Sequence, residues 1–288
     1  MADEEKSSAI NSAVVFYNET KPEAVRMLKI VTSTLKARGV RCWVGQSASV
    51  REKLRLADIA VALGGDGTML RVARILAPHS IPLLGINSGG LGFLSGTDAA
   101  DFRRHVDAIL DGKFALEERW MISVEAYRGK KRIFGPHIAL NDCVIRCGDQ
   151  ARAISLRTKS GDRFVADYFG DGLIISTPTG STAYALAASG PIVDPSLEVL
   201  LIAPICPHTL TQRPLIVPAS LEFTVELGTR RAHEVPRVLM SLDGQLGCPL
   251  RVGDHVRIRR YEKPFKLLRN PKGSYFEVLR RKLKWGER

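Results

Sequence analysis

The sequence predicts a Rossmann-like α/β domain built on a parallel sheet, then a mostly β, sandwich-like domain, and a C-terminal helix that returns to the first domain. Three observations predict it. Strand-like and helix-like segments alternate through the first 115 residues; the hydrophobic pattern changes from helical to strand-like after about Leu116; and Ser274 to Trp285 becomes helical again. The corresponding divisions are 1–115, 116–265 and 266–288.

Ala13 to Tyr17 is a short apolar run that reads as the first strand. Lys21 to Arg38 places Ala24, Leu28, Val31 and Leu35 on one helical face, with Pro22 as a start signal and Gly39 as a stop. Arg41 to Val44 and Asp58 to Leu63 read as strands two and three. A helix over Thr68 to Leu76 must end before Pro78, and Ile81 to Ile86 reads as the fourth strand. Phe102, Val106 and Ile109 mark another helical face. Such alternation implies a parallel sheet with helices on its faces.

Beyond Leu116, Ile122 to Ala126 and Leu221 to Leu227 alternate apolar and polar residues, as half-buried strands do. Ile138 to Arg146, Ile154 to Thr158, Leu173 to Ser176, Val238 to Leu242 and His255 to Arg259 read as further strands. The closing segment places Phe276, Leu279 and Leu283 on one helical face. It cannot extend a sheet domain alone, so it is expected to pack back on the first half.

Composition narrows the function classes. With 288 residues, 45% hydrophobic and 25% charged, the chain fits one large or two ordinary domains with proper cores, not a disordered protein. No apolar run approaches the roughly 20 residues of a membrane span, and the N-terminal segment MADEEKSSAI does not resemble a signal peptide. Five scattered cysteines argue against a disulfide framework, so a reducing, cytoplasmic setting is expected. Cys143 and Cys147 read as strand thiols rather than a zinc site. The formal net charge is +12; residues 251 to 288 carry 13 basic and 4 acidic side chains of that balance. Their basic residues alternate with apolar ones, and no nucleic-acid motif accompanies them, so no nucleic-acid partner is expected.

The chemistry is concentrated in a strand that runs into Gly64-Gly65-Asp66-Gly67-Thr68 and then into a helix. The glycines let a ligand approach the main chain, and a helix N-terminus suits phosphate. A turn needs glycines but no acid between them. Asp66, at the C-terminal end of a parallel strand, could accept a proton from a hydroxyl nucleophile or help place a divalent cation. The two roles compete, because positive charge beside a carboxylate weakens it as a base. A modest base suffices for phosphoryl transfer when positioning and charge neutralisation supply most of the acceleration.

Two further segments follow. Gly85-Ile86-Asn87 opens a second Gly-rich loop on the same strand-end rim. In residues 171 to 187, Ser176, Thr177, Thr179, Ser181 and Thr182 crowd hydroxyls around Pro178 and Gly180, and Tyr184 offers a ring on which a base could stack. His208 reads as a structural residue beside a proline.

The Gly-Gly-Asp-Gly turn is shared by diacylglycerol, sphingosine and NAD kinases, with a relative in phosphofructokinase. Alone it points to phosphoryl transfer to an alcohol. The chain resembles the NAD kinases along nearly its whole length: the turn at 64–68, GINSGGLGF at 85–93, LND at 140–142, DGLIISTPTGSTAYALA at 171–187, PICPHTLTQRPLIVP at 204–218 and the closing SYFEVLRRKLKWG. Lipid and sugar kinases share only the first motif, so a diacylglycerol-type lipid kinase is the weaker alternative; no amphipathic basic helix marks a membrane surface.

The resemblance implies transfer of the terminal phosphate of ATP, or of polyphosphate, to the 2′-hydroxyl of the adenosine ribose of NAD. It implies Asp66 as catalytic acceptor of the hydroxyl proton, with Gly67, Arg71 and Asn87 at the nucleotide site. Asn141 and Asp142 would contact NAD; the family carries Glu where this chain has Asp142, a shorter reach. Arg152 and Asp171 would add contacts, Thr182, Ala183, Tyr184, Ala185, Leu186 and Ala187 would line the dinucleotide pocket, and Gln245 would complete it. A divalent cation, magnesium, is expected on the donor phosphates, with no dedicated protein ligands assigned. A homodimer or homotetramer is implied.

Overall fold

The computed structural model describes residues 10–45, 50–87, 92–95, 97–148, 153–229, 237–269 and 274–286, the Arg51 side chain excepted. The chain divides into two compact units, one formed by Met1–Glu118 with Phe265–Arg288 and the other by Arg119–Pro264.

In the first unit, a six-stranded sheet runs in the order Arg41–Val44, Ser12–Tyr17, Ile59–Leu63, Leu83–Ile86, Phe265–Arg269, Ala115–Arg119. The first four strands pair in parallel, as the alternation of strand and helix predicts. Ile59–Leu63 is buried at every position, which is why it reads as a continuous apolar run rather than an alternating one. Helix Pro22–Lys36 lays Ala24, Met27, Val31 and Leu35 on one face of the sheet, beside Phe102, Val106 and Ile109 of helix Ala99–Leu110. Each large apolar side chain so buried contributes about 1.5–3 kcal/mol. Asp98 caps that second helix, its carboxylate accepting the Asp101 N–H at 2.7 Å.

The tail enters this unit more deeply than its sequence indicates. Phe265–Arg269 is an internal strand of the sheet, parallel to Leu83–Ile86, with Phe265 and Leu267 fully buried. Helix Tyr275–Leu283 follows, started by Ser274, whose hydroxyl accepts the Phe276 N–H. Only Leu279 of its predicted apolar face is buried; Phe276 and Leu283 are exposed.

The second unit is a sandwich of two six-stranded sheets. One runs Arg163–Gly170, Ile154–Ser160, Phe223–Gly228, Asp254–Arg260, Ile122–Arg128, Lys131–Ala139; the other runs Leu215–Pro218, Val199–Ile205, Gly172–Ser176, Asp142–Cys147, Val238–Leu242, Leu246–Leu250. All their pairings are antiparallel. Alternate residues of both sheets, among them Val124, Leu156, Val225, Ile175, Leu200 and Met240, share one core. On the outer face of the second sheet, Ala185 of the short helix Tyr184–Ala187 packs against Val144, Ile174 and Leu201.

One predicted strand is corrected. Ile138 to Arg146 is not continuous: Lys131–Ala139 belongs to one sheet and Asp142–Cys147 to the other. The break falls at Leu140-Asn141, where the backbone amides leave the ladder and turn to the side chain of Asp243.

Candidate active site

Helix Asp66–Leu76 begins two residues earlier than the apolar pattern indicates, so Asp66 is its first residue. Gly64 N–H donates to Ile86 O at 3.0 Å, tying the turn to the next strand, while Thr68 and Met69 N–H donate to Gly65 O at 2.9 and 3.2 Å and start the helix. A Cβ on Gly64 would lie 2.9 Å from the Thr68 Cβ, so the turn excludes a side chain there.

The Asp66 carboxylate is held from the opposite side by the main chain of the second Gly-rich segment. Its Oδ2 accepts the Phe93 N–H at 3.0 Å and its Oδ1 the Leu94 N–H at 3.2 Å. A Cβ on Gly92 would stand 2.8 Å from Asp66 Cγ and 2.7 Å from Ser95 Oγ, so both groups crowd the space that Gly92 leaves open. Gly85 serves the same packing, its missing Cβ falling 3.1 Å from Met69 Sδ and 3.3 Å from Leu94 O. Asn87 is 8% exposed and donates its N–H to Thr97 O at 2.9 Å. Gly67 and Arg71 lie in the first two turns of the Asp66 helix.

In the second unit, Asn141 and Asp142 sit where the chain passes between the two sheets. The Asp243 carboxylate accepts three successive amides: Leu140 N–H at 3.1 Å, Asn141 N–H at 2.7 Å and Asp142 N–H at 3.3 Å. In return, Asp243 N–H donates to Asp142 O at 3.1 Å. Asp142 is 4% exposed, and burial, with the Asp243 charge beside it, pushes its carboxyl up to about 7. The sequence motifs do not single out Asp243. Its signal was available in Asp243-Gly244, which turns the hairpin Val238–Leu242/Leu246–Leu250 with φ of +51° and +64°. Gln245, exposed, closes that turn by donating its N–H to Leu242 O at 2.9 Å.

The hydroxyl-rich loop is built differently from its sequence reading. Ser176, Thr177, Thr179 and Ser181 are buried. Ser176 Oγ donates to Asn141 O at 3.1 Å; Thr177 Oγ1 donates to Leu140 O at 2.5 Å and accepts Gly180 N–H at 3.2 Å. Ser181 Oγ donates to Pro178 O at 2.7 Å and accepts Val193 N–H at 3.0 Å. These hydroxyls lock the loop to itself and to residues 140–141. Thr182, Tyr184 and Ala187 follow at or near the surface, Tyr184 being 41% exposed, while Ala183 and Leu186 are half-buried and Ala185 is fully buried.

The structure does not bring Asp171 to Asn141. Asp171 precedes strand Gly172–Ser176 and Asn141 lies beside Thr177 past its far end, about 20 Å away along the strand. Asp171 accepts instead a hydrogen bond from the exposed Cys206, which raises that thiol's pKa. Arg152 lies outside the described residues. His208 packs its ring edge-on against Phe169, centroids 5.1 Å apart, in keeping with a structural role. Among the described residues, no three Asp, Glu, His or Cys side chains converge as a metal cage would require.

Residues 46–114 match the family model for the ATP-NAD kinase N-terminal domain, and residues 140–270 match the one for the ATP-NAD kinase C-terminal domain. The NAD kinase of Geobacter metallireducens is 46% identical over 85% of either chain, and that of Syntrophobacter fumaroxidans is 41% identical over 95% of this chain and 98% of its own. Among solved structures, an NAD kinase from Archaeoglobus fulgidus in complex with ATP is 26% identical, with a TM-score of 0.76 over 94% of this chain and 99% of that one. Yeast NADH kinase complexed with NADH, at 21% identity, shares the fold with a TM-score of 0.88 over 98% of this chain and 89% of its own. With both domain models matched in order and close relatives covering most of the sequence, this chain belongs to the NAD kinase family.

Proposed function

We propose that the protein transfers the terminal phosphate of ATP to the 2′-hydroxyl of the adenosine ribose of NAD, with Asp66 as the acceptor of the hydroxyl proton. The observation that carries this reading is the Asp66 carboxylate, fixed at the start of a helix by the amides of Phe93 and Leu94. Each carboxylate oxygen accepts one of these bonds and keeps a lone pair for a further donor. The ribose oxygen forms a bond to the terminal phosphorus as the bond from that phosphorus to the ADP oxygen breaks; the hydroxyl proton passes to Asp66, and ADP leaves with the electron pair. The helix N-terminus that begins at Asp66 favours the anionic phosphates. Asn141, Asp142 and Gln245 contact NAD, with Thr182, Ala183, Tyr184, Leu186 and Ala187 lining its pocket; Ala185, expected there from sequence, is fully buried beneath them against Val144, Ile174 and Leu201.

A divalent cation, magnesium, fits this donor set as an ion carried by the phosphates, because such an ion takes one or two carboxylates and keeps water or phosphate oxygens for the rest. Asp66 is the carboxylate that would face it. The ion neutralises charge on the triphosphate. The lipid-kinase alternative rests on the 64–68 turn alone, whereas the family match extends through residues 140–270. No helix among the described residues is long and apolar enough to cross a membrane; a cytoplasmic location is part of the proposal. So is a homodimer or homotetramer, in which Asp171, remote from Asn141 within its own unit, serves a site near a subunit contact.

The test is NADP formation from ATP, NAD and magnesium by purified protein, with Asp66→Asn alongside. Wild type forms 2′-phosphorylated product; Asp66→Asn loses about 100-fold or more in kcat while binding NAD with nearly unchanged affinity.

A further inference from the structure

Asp243 is 8% exposed, adopts φ +51° and sits beside a second buried carboxyl group. Its turn does not explain its identity. A β-turn whose two central residues both have positive φ accepts Asn or Gly at the first of them equally well. A carboxylate buried beside another carboxyl group is costly unless its lone pairs are used. Here they accept the three consecutive amides of Leu140, Asn141 and Asp142. The carbonyls of the same three residues are held by other donors: Leu140 O by Thr177 Oγ1, Asn141 O by Thr177 N–H and Ser176 Oγ, and Asp142 O by Asp243 N–H. Every main-chain polar group of 140–142 is therefore fixed, and Asp243 supplies all the acceptors.

We propose that Asp243 is a positioning residue for dinucleotide binding: its carboxylate sets the backbone of Leu140–Asp142, and with it the direction in which Asn141 and Asp142 meet NAD. The proposal rests on the reading that Asn141 and Asp142 contact NAD. Only a group with two acceptor oxygens satisfies all three amides. An Asn amide keeps one oxygen for Asn141 and Asp142 N–H but turns an NH₂ donor toward Leu140 N–H. Gly keeps the positive φ and removes every acceptor.

The experiment measures NAD affinity by calorimetry, Michaelis constants for NAD and ATP, and thermal melting for Asp243→Asn, Asp243→Gly, Asn141→Ala and the double variant Asn141→Ala/Asp243→Asn. The expected result is a roughly tenfold weaker NAD affinity for Asp243→Asn, a larger loss for Asp243→Gly, and an ATP Michaelis constant within about twofold of wild type. The two single substitutions should be non-additive, because both act through one turn. An NAD affinity for both Asp243 variants within twofold of wild type, or strict additivity with Asn141→Ala, would overturn the proposal even if melting temperatures fall. If Asn141→Ala itself leaves NAD affinity unchanged, the reading of the Asn141–Asp142 contact fails, and the proposal built on it fails with it.

Discussion

Gly92→Ala adds one carbon to the molecule and places it against the proposed base. The new Cβ would stand 2.8 Å from Asp66 Cγ and 2.7 Å from Ser95 Oγ. Carbon atoms settle at about 3.5–4.0 Å, so the carboxylate must retreat by roughly 1 Å. Its bonds from Phe93 and Leu94 N–H, at 3.0 and 3.2 Å, cannot survive that movement without a shift of the loop. A displacement of about 1 Å in a reacting group costs about 100-fold in rate. The expected outcome is a kcat for NADP formation about 100-fold below wild type, with NAD affinity by calorimetry changed less than threefold. Thermal melting run in parallel separates misplacement from unfolding. A folded Gly92→Ala enzyme with kcat within twofold of wild type would refute the argument that Asp66 works from this fixed position.

Two further predictions concern the second unit. Asp142 retains its proton up to about pH 7 when folded but loses it near pH 3.9 when unfolded, so its contribution to stability falls as pH rises from about 4 to 7. The ionisable groups facing it are Asp243 of the hairpin turn and Cys143, a buried thiol whose raised pKa leaves it neutral throughout this range. Asp142→Asn should therefore melt at the same temperature as wild type near pH 3.5 and higher than wild type at pH 8; parallel melting curves across that range would contradict the account. Thr177→Val leaves Leu140 O and Gly180 N–H without their buried partner, so unfolding by urea should show a loss of about 2–4 kcal/mol. A loss below 0.5 kcal/mol would mean that the hydroxyl does not lock the loop.

The legible parts of the fold were those with strong periodicity. Strand Ile59–Leu63 buries every position of its apolar run; helix Pro22–Lys36 buries Ala24, Val31 and Leu35 of its expected face, with Met27 buried and Leu28 only half-buried; and strand Phe223–Gly228 buries Phe223, Val225 and Leu227 while Leu221 before it is exposed. Arg163–Gly170 and Leu215–Pro218 carry little signal in the sequence because edge strands are largely exposed and show little alternation. Phe265–Arg269 was hidden for another reason: its basic side chains alternate with apolar ones, which reads as a solvated element, yet it is an interior strand of the first sheet. At the candidate site, Asp66 was legible because an acid between glycines has no role in a bare turn. Phe93 and Leu94 were not, since they act through main-chain amides that any residue would supply. The serine and threonine cluster misled in the other direction: hydroxyls that look available in sequence are consumed by the backbone around Asn141.

The central claim is that Asp66 takes the proton of the ribose hydroxyl as phosphate is transferred from ATP to NAD. Single-turnover formation of 2′-phosphorylated NAD, followed by rapid quench with saturating ATP and magnesium, tests it most directly for wild type against Asp66→Asn. The account predicts product at the adenosine 2′ position from wild type, and a chemical step at least about 100-fold slower in Asp66→Asn at unchanged NAD affinity. A chemical step of wild-type speed in Asp66→Asn, or no NADP from the wild-type protein, would contradict it.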